Sequence, residues 1–340
     1  MAKQIVVVGS VNLDLVCSGK RIPAPGETLM GENFQTFFGG KGANQAVAVA
    51  RLGYPVSMIA RVGDDEFGGR LRIGLRTANV NVREVRTCTD TASGVALITV
   101  DAAGQNSIMV IPGANSKLTP QDLDRAKSML CTAGMVLTQL ETPLDTVEYL
   151  CELTHRAGVP LMLDPAPARA LSRKVLGRVS YLTPNETETC ALCGISPSKL
   201  NQSAIADCAK ELQARGTANV IVKLGARGAY VQAADGLSRA IPPFKVPVVD
   251  STAAGDAFNA ALAIALLRGS SLPVAAQYAA AAGAVSVTRA GAQPAMPTAA
   301  DVDALLQSVQ VKGNGRGRAQ SRGGRQPAPE PKQKGVPIEA

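Results

Sequence analysis

The stretch VVDSTAAGDAFNAALAIALL, residues 248–267, sets Ala253, Ala254, Gly255 and Asp256 at the head of an otherwise apolar helical pattern. Side chains this small let backbone amides at a helix N-terminus approach an anion closely, and the helix dipole adds favourable potential there. The carboxylate of Asp256 has two readings. As a plain charge in the first turn it contributes a few tenths of a kcal/mol up to ~1. As a general base it takes a proton from an attacking hydroxyl while the amides of Ala253, Ala254 and Gly255 hold a transferring phosphoryl group. Taken alone, the stretch leaves both open.

Other polar groups fall just after short apolar runs. Asn12 and Asp14 follow the run 5–8, Asp64 the run 56–62 and Glu141 the run 135–140. Asp164 follows 159–163, Asn185 and Glu188 follow 179–182, and Gly225 follows 220–224. In open α/β sheets the carboxyl ends of the strands form the ligand crevice, so these residues converge if the runs are strands. Two familiar phosphate loops are absent. Lys41 of GGKGAN is followed by Gly42, which breaks GxxxxGK[ST], and VVVGSVNLD supplies one glycine where GxGxxG would need three.

The elements that must position these groups alternate along the chain. Between the apolar runs lie helical patterns such as GANQAVAVARLG, with Ala43, Ala46, Val47 and Ala50 at i, i+3, i+4 and i+7. This rhythm predicts an α/β domain with a mainly parallel central sheet. Two stretches break it. Residues 94–111 are two apolar runs around the turn signal Asp101-Ala102-Ala103-Gly104, which predicts a hairpin, and residues 17–38 carry Pro and Gly turns between short apolar pieces. Both are expected to form a small β appendage over one edge of the domain.

Composition narrows the class. A chain of 340 residues with 46% hydrophobic content can bury a substantial core. The net charge of +8 is concentrated at the end: residues 311–340 hold seven Lys/Arg against two Glu, a net of +5, leaving +3 elsewhere. That basic tail is rich in Gly and Pro, lacks aromatic residues, and is expected to be disordered. A nonenzymatic RNA-binding role through it is the remote alternative, weakened by the missing aromatic residues for base stacking.

Seven scattered cysteines predict reduced thiols rather than a disulfide framework, and the Cys190/Cys193 pair lacks a second pair to complete a zinc site. The N-terminal apolar run is too short for a signal sequence, and no stretch approaches a membrane span, so a cytoplasmic location is expected. His155 reads as a solvated helix residue, and Arg70, Arg72 and Arg76 as a solvated helix face.

Seven motifs in order, FFGGKGANQAVAVARLG, RVGDDEFG, LTQLETP, LDPAPA, TPNETE, KLGARG and VVDSTAAGDAF, closely resemble the ribokinase family of carbohydrate kinases over residues 3–297. The resemblance implies a three-layer α/β domain, residues 1–310, with a β lid from about 17–38 and 94–111 that covers a sugar and forms a homodimer contact. Gly39 and Gly40 would be its hinge. It implies transfer of the ATP γ-phosphoryl group to the primary 5-hydroxyl of ribose, with 2-deoxyribose, another small sugar or a nucleoside as alternatives. Asp256 looks like the base and the amides of residues 253–256 like the anion hole. Asn12, Asp14, Gly40, Lys41, Gly42, Asn44 and Glu141 occupy the sugar positions.

By the same resemblance, Asn185 approaches the nucleotide phosphates and Glu188 orients the water shell of Mg²⁺, with Glu186 the weaker partner. Lys223, Leu224, Gly225, Ala226, Arg227 and Gly228, together with Gly255, would bind ATP. Lys223 departs from the family, which usually has Thr or Ser there; phosphate and solvent are both within its reach. A potassium site is implied from Asp250, Thr252, Ser286, Arg289, Gly291 and Ala295, with Ser251 and Ala295 as departures from the usual Thr and Ser.

Overall fold

Successive residues of the first strand face two different cores. Ile5 and Val7 pack into one apolar cluster and Val6 and Val8 into another, as the period of two requires for a strand covered on both faces. The structure is a computed structural model and describes residues 3–319, with side chains through residue 309. Its strands are β1 (Ile5–Val8), β2 (Asn12–Ser18), β3 (Asn33–Gly39), β4 (Val56–Gly63), β5 (Asn81–Cys88), β6 (Gly94–Val100), β7 (Asn106–Ile111), β8 (Met135–Thr138), β9 (Leu161–Leu163), β10 (Tyr181–Leu182), β11 (Asn219–Lys223), β12 (Ala229–Gln232) and β13 (Ser238–Ile241). The helices are α1 (Lys41–Arg51), α2 (Glu66–Thr77), α3 (Pro120–Arg125), α4 (Lys127–Thr132), α5 (Leu144–Arg156), α6 (Arg173–Leu176), α7 (Glu186–Cys193), α8 (Gln202–Ala214), α9 (Ala254–Leu267), α10 (Leu272–Ser286) and α11 (Ala299–Ala319).

Nine strands form the main sheet in the order β13-β12-β11-β10-β9-β8-β1-β4-β5, parallel except for the pairings of β12 with β11 and β13. Helices α1, α2, α9, α10 and α11 contribute to the core on one face, and α3 to α8 to the core on the other. This is the expected three-layer arrangement. All six predicted runs are strands, though β8 stops at Thr138, so Gln139 and Leu140 step out toward the site. Strands β5, β12 and β13 have no counterpart in the sequence reading; β5 and β13 carry exposed polar residues and β5 alternates only partly, whereas β12 is short and fully buried.

The lid is a second sheet of four strands, β3-β2-β6-β7. It begins at Asn12 rather than near residue 17, because the chain leaves β1 and extends directly into β2 after three residues. The predicted hairpin is β6–β7, closed by Asp101, whose Oδ1 accepts from the amides of Ala103 and Gln105 at 2.9 Å each. The arginines on α2 are not simply solvated. Arg70 donates to Thr36 Oγ1 of the lid at 3.0 Å, and Arg72 donates to the Val85 carbonyl. The expected disordered tail is described only to Ala319, where α11 continues as helix; residues 320–340 lie outside the described residues.

Helix α9 is buried nearly all round. Ala257, Ala260, Ala261, Leu262, Ala263 and Ile264 are fully covered, facing α10 and its own run of small residues. A helix apolar on every side belongs in a core, and alanine lets two such helices approach closely. The body of α9 is therefore held by packing, while its first residues, Ala254 and Gly255, border the cleft. Helix α1 is seated as tightly: a Cβ on Gly42 would lie 2.7 Å from the Gly9 carbonyl carbon and the Ser10 nitrogen. Both are backbone atoms, which cannot swing away. Gly42→Ala is expected to destabilise the fold by roughly 1–3 kcal/mol, the usual cost of overpacking, seen as a lower urea midpoint at unchanged slope.

Candidate active site

The site forms where the start of α9 meets α1, the end of β9 and the lid. Ala253, the N-cap of α9, sits in the left-handed region at φ 60°, a conformation that disfavours a non-glycine residue. The turn commits two amides: Ala254 donates to the Ser251 carbonyl at 3.3 Å and Asp256 to the Ala253 carbonyl at 3.0 Å. The amides of Ala253 and Gly255 have no backbone acceptor among the described residues. So the expected anion hole of residues 253–256 narrows to two free donors.

Asp256 lies at 4% exposure. Its Oδ2 accepts from Asn44 Nδ2 at 3.1 Å and its Oδ1 from Gln45 Nε2 at 3.1 Å. The Gln45 amide also donates to Asp164 Oδ2 at 3.2 Å, and its Oε1 accepts from Gln139 Nε2 at 2.7 Å. Asn259, one turn after Asp256 on α9, donates to Asp164 Oδ2 at 2.9 Å. Burial pushes the Asp256 carboxyl up to about 6, with Lys41 pulling it down, Asp164 pushing it up, and the Gln45 and Asn44 bonds pulling it down. That value suits a base working near neutral pH.

Lys41 is half-buried and feels the charge of four carboxylates without pairing directly with any of them. Burial favours its neutral form, but Asp256, Asp164, Glu141 and Glu188 together raise its pKa above the ordinary lysine value. Its backbone amide donates to Glu141 Oε2 at 3.1 Å, and Ser10 Oγ donates to the same oxygen while accepting from the Gly42 amide at 3.3 Å. Gly40 at φ 87° is where the lid rejoins α1; a Cβ there would lie 2.8 Å from the Asn12 nitrogen. On the lid strand β2, Asp14 is pushed up to about 7 by burial and by the nearby Glu141. A Cβ on Gly39 would meet its carboxylate oxygen at 2.2 Å. Asn12 Oδ1 accepts from Asn115 Nδ2 at 2.7 Å, and Asn44 Oδ1 is buried without a partner.

The second half of the cleft is apolar. A cavity of about 560 Å³ runs from Lys223 and Gly255 to Phe244, Val246, Phe258 and Val287. Gly225, Ala226 and Gly228 line it, whereas Leu224 packs into the core and the Arg227 guanidinium donates to Glu186. Lys223 points to neither solvent nor a free phosphate position but to a carboxylate: Nζ donates to Asp164 Oδ1 at 2.8 Å and lies 3.3 Å from where a Gly255 Cβ would stand. Asn185 and Glu188 form a capping box on α7, the Glu188 amide donating to Asn185 Oδ1 at 2.8 Å and the Asn185 amide to Glu188 Oε2 at 2.7 Å. Burial raises the Glu188 pKa against the pull of Lys223.

Asp250 lies at a separate corner. Its Oδ1 accepts from the Thr252 amide at 2.9 Å and hydroxyl at 2.6 Å, and its Oδ2 from the Gly291 amide at 2.8 Å. Burial pushes this carboxyl up, but those bonds outweigh it and hold the group below the usual range. Arg289 pairs with Asp301 instead, and Ser286 Oγ donates to the Gly283 carbonyl.

Some sequence expectations fall outside this assembly. Asp64 is exposed and joins none of these groups; its neighbour Asp65 instead caps α2 through the Gly68 amide at 2.7 Å. The strand-end rule places a residue at the crevice but cannot say which of two adjacent carboxylates turns inward. His155 is exposed, the cysteines are free, and no cluster of metal-ligating residues occurs among the described residues. The residues missed are Gln45, Gln139, Asn259, Ser10 and Asn115. Gln45 directly follows Asn44, and Asn259 follows Asp256 by three on one helix, a spacing that puts both on one face.

Anion donors beside a buried base, under a polar lid and next to an apolar slot, define a phosphotransferase acting on a small alcohol. The pfkB family carbohydrate kinase profile matches residues 2–299, and the chain belongs to that family. It is similar to the ribokinase of Haemophilus influenzae, 39% identical over 298 residues, covering 88% of this chain and 96% of the relative. A deoxyribokinase of Salmonella typhi is 37% identical over 295 residues, covering 86% and 95%. The structure of Arabidopsis thaliana ribokinase complexed with ribose and ATP superposes with a TM-score of 0.83 at 34% identity, covering 90% of this chain and 99% of that one.

The pKa of Asp256 sets a pH dependence. Only its ionised form accepts a proton, so kcat/KM is expected to fall about tenfold per pH unit below about 6 and to level off above it. A pH profile measured from 5 to 9 checks this.

Proposed function

We propose that this kinase transfers the γ-phosphoryl group of ATP to the 5-hydroxyl of D-ribose, giving D-ribose 5-phosphate and ADP. The observation that carries the reading is the pairing of a buried, basic carboxylate at Asp256 with the free amides of Ala253 and Gly255. Asn12, Asp14, Asn44 and Glu141 bind the sugar hydroxyls between lid and domain. The unpartnered Asn44 Oδ1 supports this, since a buried acceptor left alone is costly and a sugar hydroxyl satisfies it. Asp256 accepts the proton of the attacking hydroxyl, and the Gly255 and Ala253 amides hold the phosphoryl oxygens. Lys41 and Lys223 offset the charge gathered there.

The apolar cavity takes the adenine end of the nucleotide, with Gly225, Ala226 and Gly228 allowing close backbone approach. Asn185 reaches the phosphates. Glu188 fits a magnesium site through water, because one oxygen is engaged in the cap and Mg²⁺ needs only one or two carboxylates besides substrate phosphates. When bound, the ion neutralises charge on the β- and γ-oxygens. The Asp250 corner fits a potassium ion. It is a carboxylate held ionised by neutral donors from Thr252 and Gly291, with no cationic partner among the described residues; the family resemblance would add Ser286, Arg289 and Ala295 to the ion's ligands.

The lid supports a homodimer. Strand β7 is exposed along its whole length, with Ile108 at 54% and Met109 at 67%; Leu97 lies open on the neighbouring β6 and Phe34 on β3 at the opposite edge. Apolar exposure of this kind on an edge strand supports an association surface there. No helix among the described residues is long and apolar enough to cross a membrane.

ADP release from MgATP with ribose, 2-deoxyribose, fructose and adenosine, with and without potassium, tests the substrate and cation together. Ribose is expected to be fastest, potassium to stimulate it, and Asp256→Asn to lower kcat by at least about a hundredfold. Faster turnover on another acceptor would overturn the ribose assignment while keeping the base. Turnover that survives deletion of residues 311–340 would separate catalysis from the tail. In a second experiment, Met109→Asp with Ile108→Lys is expected to convert dimer to monomer in sedimentation velocity, and a wild type that sediments as monomer would refute the lid contact.

A further inference from the structure

A recess on the far edge of the main sheet collects positive charge that the reaction does not use. Strand β5 ends the nine-stranded sheet, so its outer backbone groups have no neighbouring strand. Arg61 from β4, Arg72 from α2, Arg83 and Arg86 from β5 and Arg125 from α3 line a cavity of about 430 Å³ there, together with Thr87.

The charges are not balanced. Asp122, at 3% exposure, accepts from Arg61 Nε at 3.0 Å and Nη2 at 2.7 Å, and from Arg125 Nη1 at 2.8 Å. Glu84 is the other carboxylate, 3.5 Å from Arg86 Nε and 4.0 Å from Arg83 Nε. Five guanidinium groups thus face two carboxylates, a surplus of three positive charges. Arg72 Nε is buried with no hydrogen-bond partner. Blunting an edge strand explains Arg72, which donates to the Val85 carbonyl, but one arginine suffices for that. The remaining guanidinium groups repel one another, and Asp122 holds two of them in fixed positions. Such a cluster gains when an anion enters, because charge-assisted bonds replace repulsion and Arg61 and Arg125 are already held in place.

We infer that this recess is a second anion site, built for a compact polyanion of the phosphate class. The volume falls within the range of small-molecule sites, and planar guanidinium forks match phosphate oxygens. Residue 88, at the end of β5, is six residues before Gly94, the first residue of lid strand β6, so the occupant would lie close to the root of the lid.

The test is isothermal titration calorimetry on the full chain, with ribose and a non-hydrolysable MgATP analogue filling the catalytic cleft. Three probes are titrated: pyrophosphate, inorganic phosphate and glucose 6-phosphate, which separate a bare polyphosphate from a phosphorylated metabolite. One equivalent of at least one probe is expected to bind, more weakly as NaCl is raised. Arg83→Ala with Arg86→Ala is expected to weaken that binding roughly tenfold or more, with the KM values for ribose and ATP unchanged. Both side chains are exposed and only loosely paired, so the double variant is expected to fold. Arg125→Gln, which leaves the Arg61 pair intact, serves if it does not. No uptake of any probe by the wild type, or unchanged affinity in the variants, would overturn the inference.

Discussion

Two carboxylates share one buried amide, and the site is arranged around that constraint. Asp256 and Asp164 both accept from Gln45 Nε2, at 3.1 and 3.2 Å, and both lie at 4% exposure or less. Placing like charges together away from water is costly unless each is bonded and the sum is offset. Asn44 and Asn259 supply further donors, Lys223 bonds to Asp164, and the half-buried Lys41 offsets the group as a whole. The residual imbalance leaves Asp256 poised near 6 rather than at the ordinary aspartate value. That is the value the proposed base needs near neutral pH.

Such a crowd holds its geometry only on a rigid frame. The all-round burial of α9, achieved with alanines against α10, fixes the helix end that carries Asp256. The Gly42 contact with the β1–β2 turn does the same for α1, which carries Lys41, Asn44 and Gln45. Strain at Ala253 is the local consequence: packing on both sides holds a left-handed alanine and leaves two amides turned out of the helix. The lid contrasts with this. It is a thin sheet with an exposed apolar edge, joined through Gly40 and through the continuous β1–β2 segment, and it brings Asp14 to the cleft from above.

Local chemistry was legible before any coordinates. The amides ahead of Asp256 depend on side-chain size and helix start, the Asn185–Glu188 cap on a spacing of three, and the Asp101 turn on residue type. The α/β class followed from periodicity, and the resemblance carried by the ordered motifs named Asn12, Asp14, Lys41, Asn44, Glu141 and Lys223 as the residues expected at one cleft. Strands such as β5 and β13 were hidden because edge positions carry polar residues and lose the alternation that reveals a half-buried strand.

What the sequence determined by itself was therefore whatever neighbouring residues settle among themselves: elements, caps, turns and the small-residue anion loop. Tertiary structure alone decided which distant groups share charge and protons. Gln45 meets Asp256 across 211 positions, Lys223 meets Asp164 across 59, and Asp122 gathers Arg61 from 61 positions away. Such pairings depend on strand order and helix docking, which no local pattern encodes, and they decide how strongly buried charges couple. The same reason made Asp64 a solvent-facing residue and turned two arginines of an apparently solvated helix, Arg70 and Arg72, toward the lid and the sheet edge, while Arg76 stays exposed.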